Sequence, residues 1–369
     1  MKAIQWIISA LVAVVIIAAA VGGGVYFTRL KSIHSIRKLT DYEDYNLYRM
    51  DIDYAYDLDR LIDRGITDNQ SMINAILAEA LPYLPIHMKA PNFGCSAFCT
   101  QGTDDHTLMG RNYDFKNDTS AMLVYCTPKD GYASVAFAAL DNINANTPDA
   151  SMAKKLATLT APFICLDGMN EKGVSIAVLT LDSDPTYQQT GKPMIATTLA
   201  IRLVLDRAAT TAEAVELLSK YDMFASSGRD YHFYITDASG DGRVLEYDCN
   251  DPTRPLTATP SRSVTNFFVM YKDNVLPNQR NGVYGHGRER YDAIEEILDA
   301  NAGSIDREIA WQALQAASQA PNPQDVTSNT QWSILYDNTA LTAEAVIRRD
   351  WNTKTSYDLV SNVAVTDVG

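Results

Sequence analysis

The sequence predicts an α+β protein with layered sheets, and two observations carry that prediction. From residue 95 onward, short apolar runs alternate with turn signals, which is the pattern of strands. Helical stretches fall in pairs between blocks of strands, so the order is strands, helices, strands, helices, strands. The 369 residues suffice for one large domain or two ordinary ones, and the composition, 46% hydrophobic and 21% charged, is that of a globular protein. No internal repeat and no boundary is visible within residues 95–369. The formal net charge of -14 repels phosphates and excludes nucleic acid as a partner.

The chain divides into three parts. Residues 3–28 contain no charged side chain and are rich in Ile, Val and Ala. At about 1.5 Å per residue, a helix of that length crosses a hydrocarbon core of ~30 Å, so residues 1–30 read as a transmembrane anchor. The competing reading is a cleaved signal segment, with Lys2, an apolar stretch and small residues from Ala18 to Gly24; the apolar run exceeds the roughly 7–15 residues usual there. Lys2 lies on one side, and Arg29, Lys31, Arg37 and Lys38 on the other, so charge sets the topology weakly. An extracytoplasmic catalytic domain is expected, membrane-anchored through residues 3–28, or secreted if the segment is removed.

Residues 31–94 read as a folded lead segment. Asp51, Asp53, Asp57 and Asp59 alternate with Ile52, Tyr54, Tyr56 and Leu58, which suggests a strand over residues 50–59. Asp68 is placed to cap a helix carrying Met72, Ile73, Ile76, Leu77, Ala80 and Leu81, and Pro82 ends it. Beyond Cys95, strands are predicted at residues 96–100, 107–112, 122–126, 133–139, 163–167 and 174–180. Helices follow at 195–206 and after Thr211, strands at 231–236 and 243–247, helices at 288–300 and 306–318, and strands at 332–336 and 345–349.

The chemistry centres on Cys95. Five cysteines, at 95, 99, 126, 165 and 249, are too few for a dense disulfide framework; one or two bridges among them stay open. Cys95 follows Gly94, and a thiol is a good nucleophile only as thiolate, so it needs a base. His232 lies 137 residues downstream, a spacing seen in papain-like enzymes. The local papain pattern is absent, however, and His232 sits in an apparent interior strand. A second solution needs no histidine. If the bond before Cys95 is cut, the new α-amine, with an ordinary pKa of about 7.7–8.0, can take the thiol proton itself. Cys95, Cys99 and His106 lack a fourth ligand and make a poor metal site, so neither metal nor cofactor is expected.

Several ordered motifs then match a known family. Gly110-Arg-Asn-Tyr-Asp-Phe115 resembles the second-strand motif of the choloylglycine hydrolase and penicillin V acylase family of N-terminal-nucleophile enzymes, with some likeness to the acid ceramidase and N-acylethanolamine amidase branch. Arg111 and Asp114 follow Cys95 by 16 and 19 positions, as in that family. Asp167-Gly-Met-Asn-Glu-Lys-Gly173, the stretch from His232 to Gly240, Thr265-Asn266, Glu289-Arg290-Tyr291 and Thr330-Gln-Trp-Ser333 continue the likeness in order. The resemblance implies a four-layer αββα sandwich over residues 95–369, with residues 31–94 acting as a lead segment or propeptide whose retention as a small subunit stays open. It implies hydrolysis of linear, non-peptide amide bonds. Because Gly94-Cys95 lies internally, behind a folded lead segment, self-cleavage between the two through an N-to-S acyl shift is expected. In the roles carried over, Cys95 is the nucleophile and its amine the base. Asp114 orients the amine, Arg111 favours thiolate, Asn266 serves the oxyanion and Arg290, or its neighbour Arg288, organises the pocket.

Thr180 stands where bile-salt hydrolases have Asn and penicillin V acylases Tyr, which leaves the substrate open; its backbone amide can still serve the oxyanion. Selectivity is expected in loops 140–153 and 182–192. Asp167 and Asn170 read as turn formers. The partner implied is a small-molecule amide; a cleaved lead segment bound to the catalytic chain and a homo-oligomer are both compatible. The alternatives are a membrane-tethered binding protein on the same fold and an acyltransferase using the same thioester.

Overall fold

A computed structural model of the chain describes residues 23–82, 94–115, 118–280, 282–322, 324, 328–359 and 363–367. A helix, α1, occupies residues 23–34. The lead segment continues with β1 (Arg37–Lys38), β2 (Leu47–Ile52), α2 (Leu58–Asp63) and α3 (Asn69–Ala80). Then come β3 (Gly94–Gln101), β4 (Thr107–Asp114), β5 (Ala121–Cys126), β6 (Ser134–Ala139), α4 (Met152–Ala157), β7 (Cys165–Asn170) and β8 (Ser175–Leu181). The middle holds β9 (Met194–Ala196), α5 (Thr197–Arg207), α6 (Thr211–Leu218), β10 (Asp222–Phe224), β11 (Asp230–Thr236), β12 (Arg243–Tyr247), β13 (Leu256–Pro260) and β14 (Ser263–Val264). The chain closes with α7 (Arg288–Ala300), α8 (Arg307–Ala317), β15 (Thr330–Asp337), β16 (Thr342–Ile347), β17 (Lys354–Asp358) and β18 (Val363–Asp367).

Two large sheets form the centre. One runs β1-β2-β5-β6-β7-β8-β11-β12-β13, the other β14-β3-β4-β15-β16-β17-β18. They face each other through β3 and β8, while α5 packs on β7 and β8, and α7 and α8 pack on β3 and β4. Strand alternation explains the layering. In β4, Met109 and Tyr113 point into the core between the sheets. Leu108 points the other way, into a second core with Phe98, Leu298, Trp311 and Leu335 under the helices. Both faces are covered, so β4 is buried along its whole length and shows no wet face.

Several elements differ from the sequence reading. The strand expected over residues 50–59 stops at Ile52, because Asp57 accepts from the Arg60 N–H at 2.9 Å and caps α2. Asp68 caps α3 as expected, in a reciprocal capping box with Ser71. All five cysteines are free thiols. The apolar segment expected over residues 3–28 falls mostly on residues outside those described. Among the described residues, no helix is long and apolar enough to cross a membrane. The part that is described, α1, is tied to the body. Arg29 donates to the Ala80 and Glu79 carbonyls at 2.7 and 2.6 Å, satisfying the open C-terminus of α3, and lies over the Tyr54 ring.

The lead segment is part of the fold. β2 lies parallel to β5 as an interior strand, with Leu47 and Met50 fully buried. The Tyr54 hydroxyl donates to the Leu159 carbonyl at 2.5 Å, and Arg207 forks onto Asp59 at 2.8 and 2.7 Å.

At the far end of β4, His106 Nδ1 lies 2.8 Å from Asp337 Oδ2, which also accepts from Arg307. The hydrogen bond to Asp337 raises the His106 pKa above its ordinary 6.5. A raised histidine stabilises the fold fully below its unfolded pKa, and that contribution is lost as pH rises through the folded value. His106→Gln is therefore expected to lower the melting temperature at pH 5.5 and to leave it nearly unchanged at pH 9, as read from thermal unfolding at the two pH values.

Candidate active site

The antiparallel pairing of β3 with β4 sets the site. Gly94 lies opposite Asp114, Cys95 opposite Tyr113, and Ala97 opposite Arg111. Side chains alternate faces along a strand, so the odd positions 95, 111 and 113 face the other sheet, and the even positions 112 and 114 face the helices. Arg111 and Asp114 are thus on opposite sides of β4, which excludes a salt bridge between them. Each finds its own partner.

On the sheet side, Arg111 Nη1 donates to Cys95 Sγ at 2.9 Å, and Nη2 to the Val178 carbonyl at 3.3 Å. Its Nε lies 2.6 Å from Asp167 Oδ2. Asp167 is fully buried on β7 and accepts from Tyr336 OH at 2.6 Å and Trp332 Nε1 at 3.1 Å. Tyr113 stacks on Trp332, with ring centroids 4.0 Å apart.

On the helix side, Asp114 accepts from Thr330 Oγ1 at 2.6 Å, Gln319 Nε2 at 2.9 Å and Arg290 Nη1 at 3.2 Å. Arg290 also donates to the Cys95 carbonyl at 3.1 Å and, through Nη2, to Asn266 Oδ1 at 2.6 Å. The same Oδ1 accepts the Cys95 main-chain N–H at 3.3 Å, and Asn266 Nδ2 donates to the Thr180 carbonyl at 2.9 Å. An arginine can only donate and a carbonyl can only accept, so the Asn266 amide is fixed in orientation from both sides. One of its two Nδ2 hydrogens is committed to Thr180, leaving one to meet an incoming oxygen.

Local structure holds these groups. His232 donates from Nε2 to the Thr265 carbonyl at 3.0 Å, and its Nδ1 lies 3.0 Å from Glu246. Glu246 in turn accepts from the Val269 and Met270 N–H groups, so this buried pair frames the turn carrying Asn266. His232 therefore does not meet Cys95. Gly285 (φ 102°) and Gly287 (φ 87°) have left-handed backbones before α7. A Cβ on Gly287 would sit 2.5 Å from Arg290 Nη2, and one on Gly285 would sit 2.1 Å from the Asn266 carbonyl oxygen. Loop 182–192 is pinned by two acids. Asp230 accepts from Ser183 and Thr186, and Asp222 from Thr190 and the Gly191 N–H.

The structure brings together Cys95, Arg111, Asp114, Asn266, Arg290 and Thr180. Arg288 is elsewhere, on Asp292 and the Lys272 carbonyl at the helix surface. Asn170 forms the expected turn, accepting the Lys172 and Val174 N–H groups. Asp167 does not; it belongs to the site. Gln319 and Thr330 were also missed as partners of Asp114. Thr330 opens one of the matching motifs, but no sequence signal marks Gln319.

The electrostatics are those of a dry pocket. Burial pushes the Cys95 thiol up to about 12; Arg111 opposes the rise and Asp114 adds to it. Burial likewise raises the carboxyls of Asp114 and Asp167, opposed chiefly by Arg290 and Arg111 respectively. Burial thus disfavours the thiolate of Cys95 in this setting. The arrangement offers a thiol beside a fixed guanidinium and a nitrogen held by an amide oxygen, which suits acyl transfer once a base is available.

Residues 95–251 match the family model for linear amide C-N hydrolases, choloylglycine hydrolase family. Two forms of the conjugated bile acid hydrolase from Clostridium perfringens superpose with TM-scores of 0.53 and 0.52 at 15% and 16% identity, each over 74% of this chain and 96% of that one. Penicillin V acylase from Agrobacterium tumefaciens superposes with a TM-score of 0.52 at 18% identity, over 72% of this chain and 86% of that one. At these identities the superpositions show a shared fold.

The partner assignments for Asp114 and the two arginines are testable by stability. Thr330→Val keeps the shape but removes a hydroxyl donor from a buried carboxylate. It is expected to cost about 1.5–3 kcal/mol in denaturant unfolding. Arg288→Gln, at the helix surface, is expected to change stability by less than about 0.5 kcal/mol.

Proposed function

We propose that this chain, whose residues 95–251 match the family model for linear amide C-N hydrolases, choloylglycine hydrolase family, is a linear amide C-N hydrolase that acts through Cys95 as an N-terminal nucleophile, exposed by self-cleavage after Gly94. The observation that carries the reading is the pairing at Cys95: its sulfur is on Arg111 and its nitrogen on Asn266, with His232 committed elsewhere.

Maturation begins with attack of the Cys95 sulfur on the Gly94 carbonyl carbon. The Gly94–Cys95 C–N bond breaks, the nitrogen takes the thiol proton, and a thioester links Gly94 to Cys95. Water cleaves the thioester, giving a Gly94 carboxylate and a free Cys95 thiol and amine. In turnover the amine takes the thiol proton and the sulfur attacks the substrate amide carbon. The departing amine leaves with that proton, and water, deprotonated by the Cys95 amine, releases the acid.

Asp114 and Asn266 Oδ1 hold the amine, Arg111 stabilises the sulfur, and Arg290 fixes Asp114 and Asn266 together. The remaining Asn266 N–H serves the oxyanion, where one donor is worth roughly 3 kcal/mol, and the Thr180 backbone stands beside it. Residues up to Gly94 remain bound after the cut, as a small subunit. Leu47, Met50, Leu61 and Ile76 are fully buried, and each such side chain holds about 1.5–3 kcal/mol of burial energy that dissociation forfeits.

The substrate is a small linear amide. The named structural neighbours make conjugated bile acids and penicillin V the first compounds to assay, followed by N-acyl amino acids and fatty-acid amides. Intact-mass analysis of active protein is expected to show a chain beginning at Cys95 that copurifies with the lead segment without denaturant. Cys95→Ala is expected to stay uncut and to hydrolyse none of the four classes. Active protein with no chain starting at Cys95 contradicts the proposal.

A further inference from the structure

The site's charges point to a residue that the family resemblance assigns no role. We propose that Asp167 is a positioning residue that keeps the Cys95 thiol latent in the uncut chain: it holds Arg111 and cancels its charge, so thiolate forms only when the Cys95 α-amine is free to carry the proton. This rests on the reading of Cys95 as an N-terminal nucleophile.

Four charged groups surround Cys95. From β4 come Arg111, 2.9 Å from the sulfur, and Asp114. From α7 comes Arg290, on the Cys95 carbonyl and Asp114. From β7 comes Asp167, against Arg111 Nε at 2.6 Å. The phenols of Tyr113 on β4 and Tyr231 on β11 also face the thiol and are neutral, since burial raises both above the ordinary value of 10. Two cations and two anions sum to zero around a neutral thiol. A thiolate formed there is one unbalanced charge in a site sealed from water, which is costly. Cutting the chain supplies the missing cation on the same residue, because the amine that takes the proton becomes an ammonium.

Asp167 is built for this balance. A lone buried carboxylate tends to take up a proton. Here Tyr336 OH and Trp332 Nε1, four residues apart on β15, donate one hydrogen bond to each of its oxygens. Donors to both oxygens favour its charged form opposite Arg111 and oppose the rise that burial causes in its pKa. With Asp167 so fixed, the guanidinium rests against it as an ion pair, Nε 2.6 Å from Oδ2 without a hydrogen bond, while Nη1 reaches the sulfur. A residue that only shaped the turn after β7 would need none of this, and Asn170 already makes that turn.

The test is alkylation of Cys95 by iodoacetamide at pH 8, on freshly synthesised chain whose cut and uncut forms are separated by intact mass, with peptide mapping to assign the modified cysteine. Each unit by which the thiol pKa falls raises the thiolate fraction tenfold. Uncut Asp167→Asn, with one cation in excess, is expected to react at least about tenfold faster than the uncut wild type. Uncut Asp167→Glu, which keeps the charge, is expected to react within about threefold of wild type. An uncut Asp167→Asn chain reacting at the wild-type rate or more slowly overturns the proposal. So does a tenfold acceleration in Asp167→Glu, since packing rather than charge would then set reactivity; that arm also decides the matter if Asp167→Asn does not fold. Active wild-type protein lacking a chain that begins at Cys95 instead overturns the parent reading.

Discussion

The antiparallel register of β3 on β4 is the constraint on which the rest of the site depends. It places Gly94 opposite Asp114 and Cys95 opposite Tyr113. Because side chains alternate, an offset of 16 puts Arg111 on the sulfur's face and an offset of 19 puts Asp114 on the other. One strand thereby delivers a cation to the thiol between the sheets and an anion to the helix layer, where Arg290 and Gln319 meet it. A slip of one residue would exchange the two faces, so register and function are specified together. The hairpin is in turn clamped by β15, which pairs with β4 along its length and supplies Thr330, Trp332 and Tyr336.

Burial on both faces of that strand decides the electrostatics. Covered by a second sheet on one side and by α7 and α8 on the other, Cys95, Arg111 and Asp114 are shielded from bulk solvent, and their charges must balance among near neighbours. The arginine beside the sulfur is largely spent on Asp167, so it does not by itself make a thiolate. This accounts for a cysteine that touches a guanidinium yet has its thiol pKa pushed up, and it fits the proposal that the base is the α-amine freed at Cys95. The lead segment shares the constraint. Its strand β2 is hydrogen-bonded inside the nine-stranded sheet, so the proposed cut at Gly94 would leave the pairing of β2 with β5 in place.

Much of this was legible in the sequence, and the exceptions have physical causes. The longer strands and helices from Cys95 to Tyr336 were visible because buried strands are short apolar runs between turn residues, and Asp68 and Asp306 cap the helices they precede; α4 and the three-residue β9 and β10 were not. The strand predicted over residues 50–59 failed because alternating Asp residues fit a wet strand and a capped turn equally well, and the cap at Asp57 won. The short edge strands β13 and β14 and the final β17 and β18 carry weak patterns that pairing, not propensity, turns into strand. Cys95, Arg111, Asp114, Asn266 and Arg290 were visible as ordered motifs. Asp167 was visible but misread, since Asp beside Gly is an ordinary turn signal and only tertiary structure brings Arg111, Trp332 and Tyr336 to it. Gln319 was invisible, as a lone glutamine after a helix carries no local signature.

In the proposed mechanism the acyl group of the substrate passes through the sulfur of a terminal Cys95. The direct measurement is to mix active protein with a hydrolysed amide, quench in acid within one turnover, digest, and locate the acyl mass by sequencing the modified peptide. A thioester is expected on a peptide whose first residue is Cys95. An acyl adduct on any other residue, or on a peptide that still contains the Gly94–Cys95 bond, contradicts it.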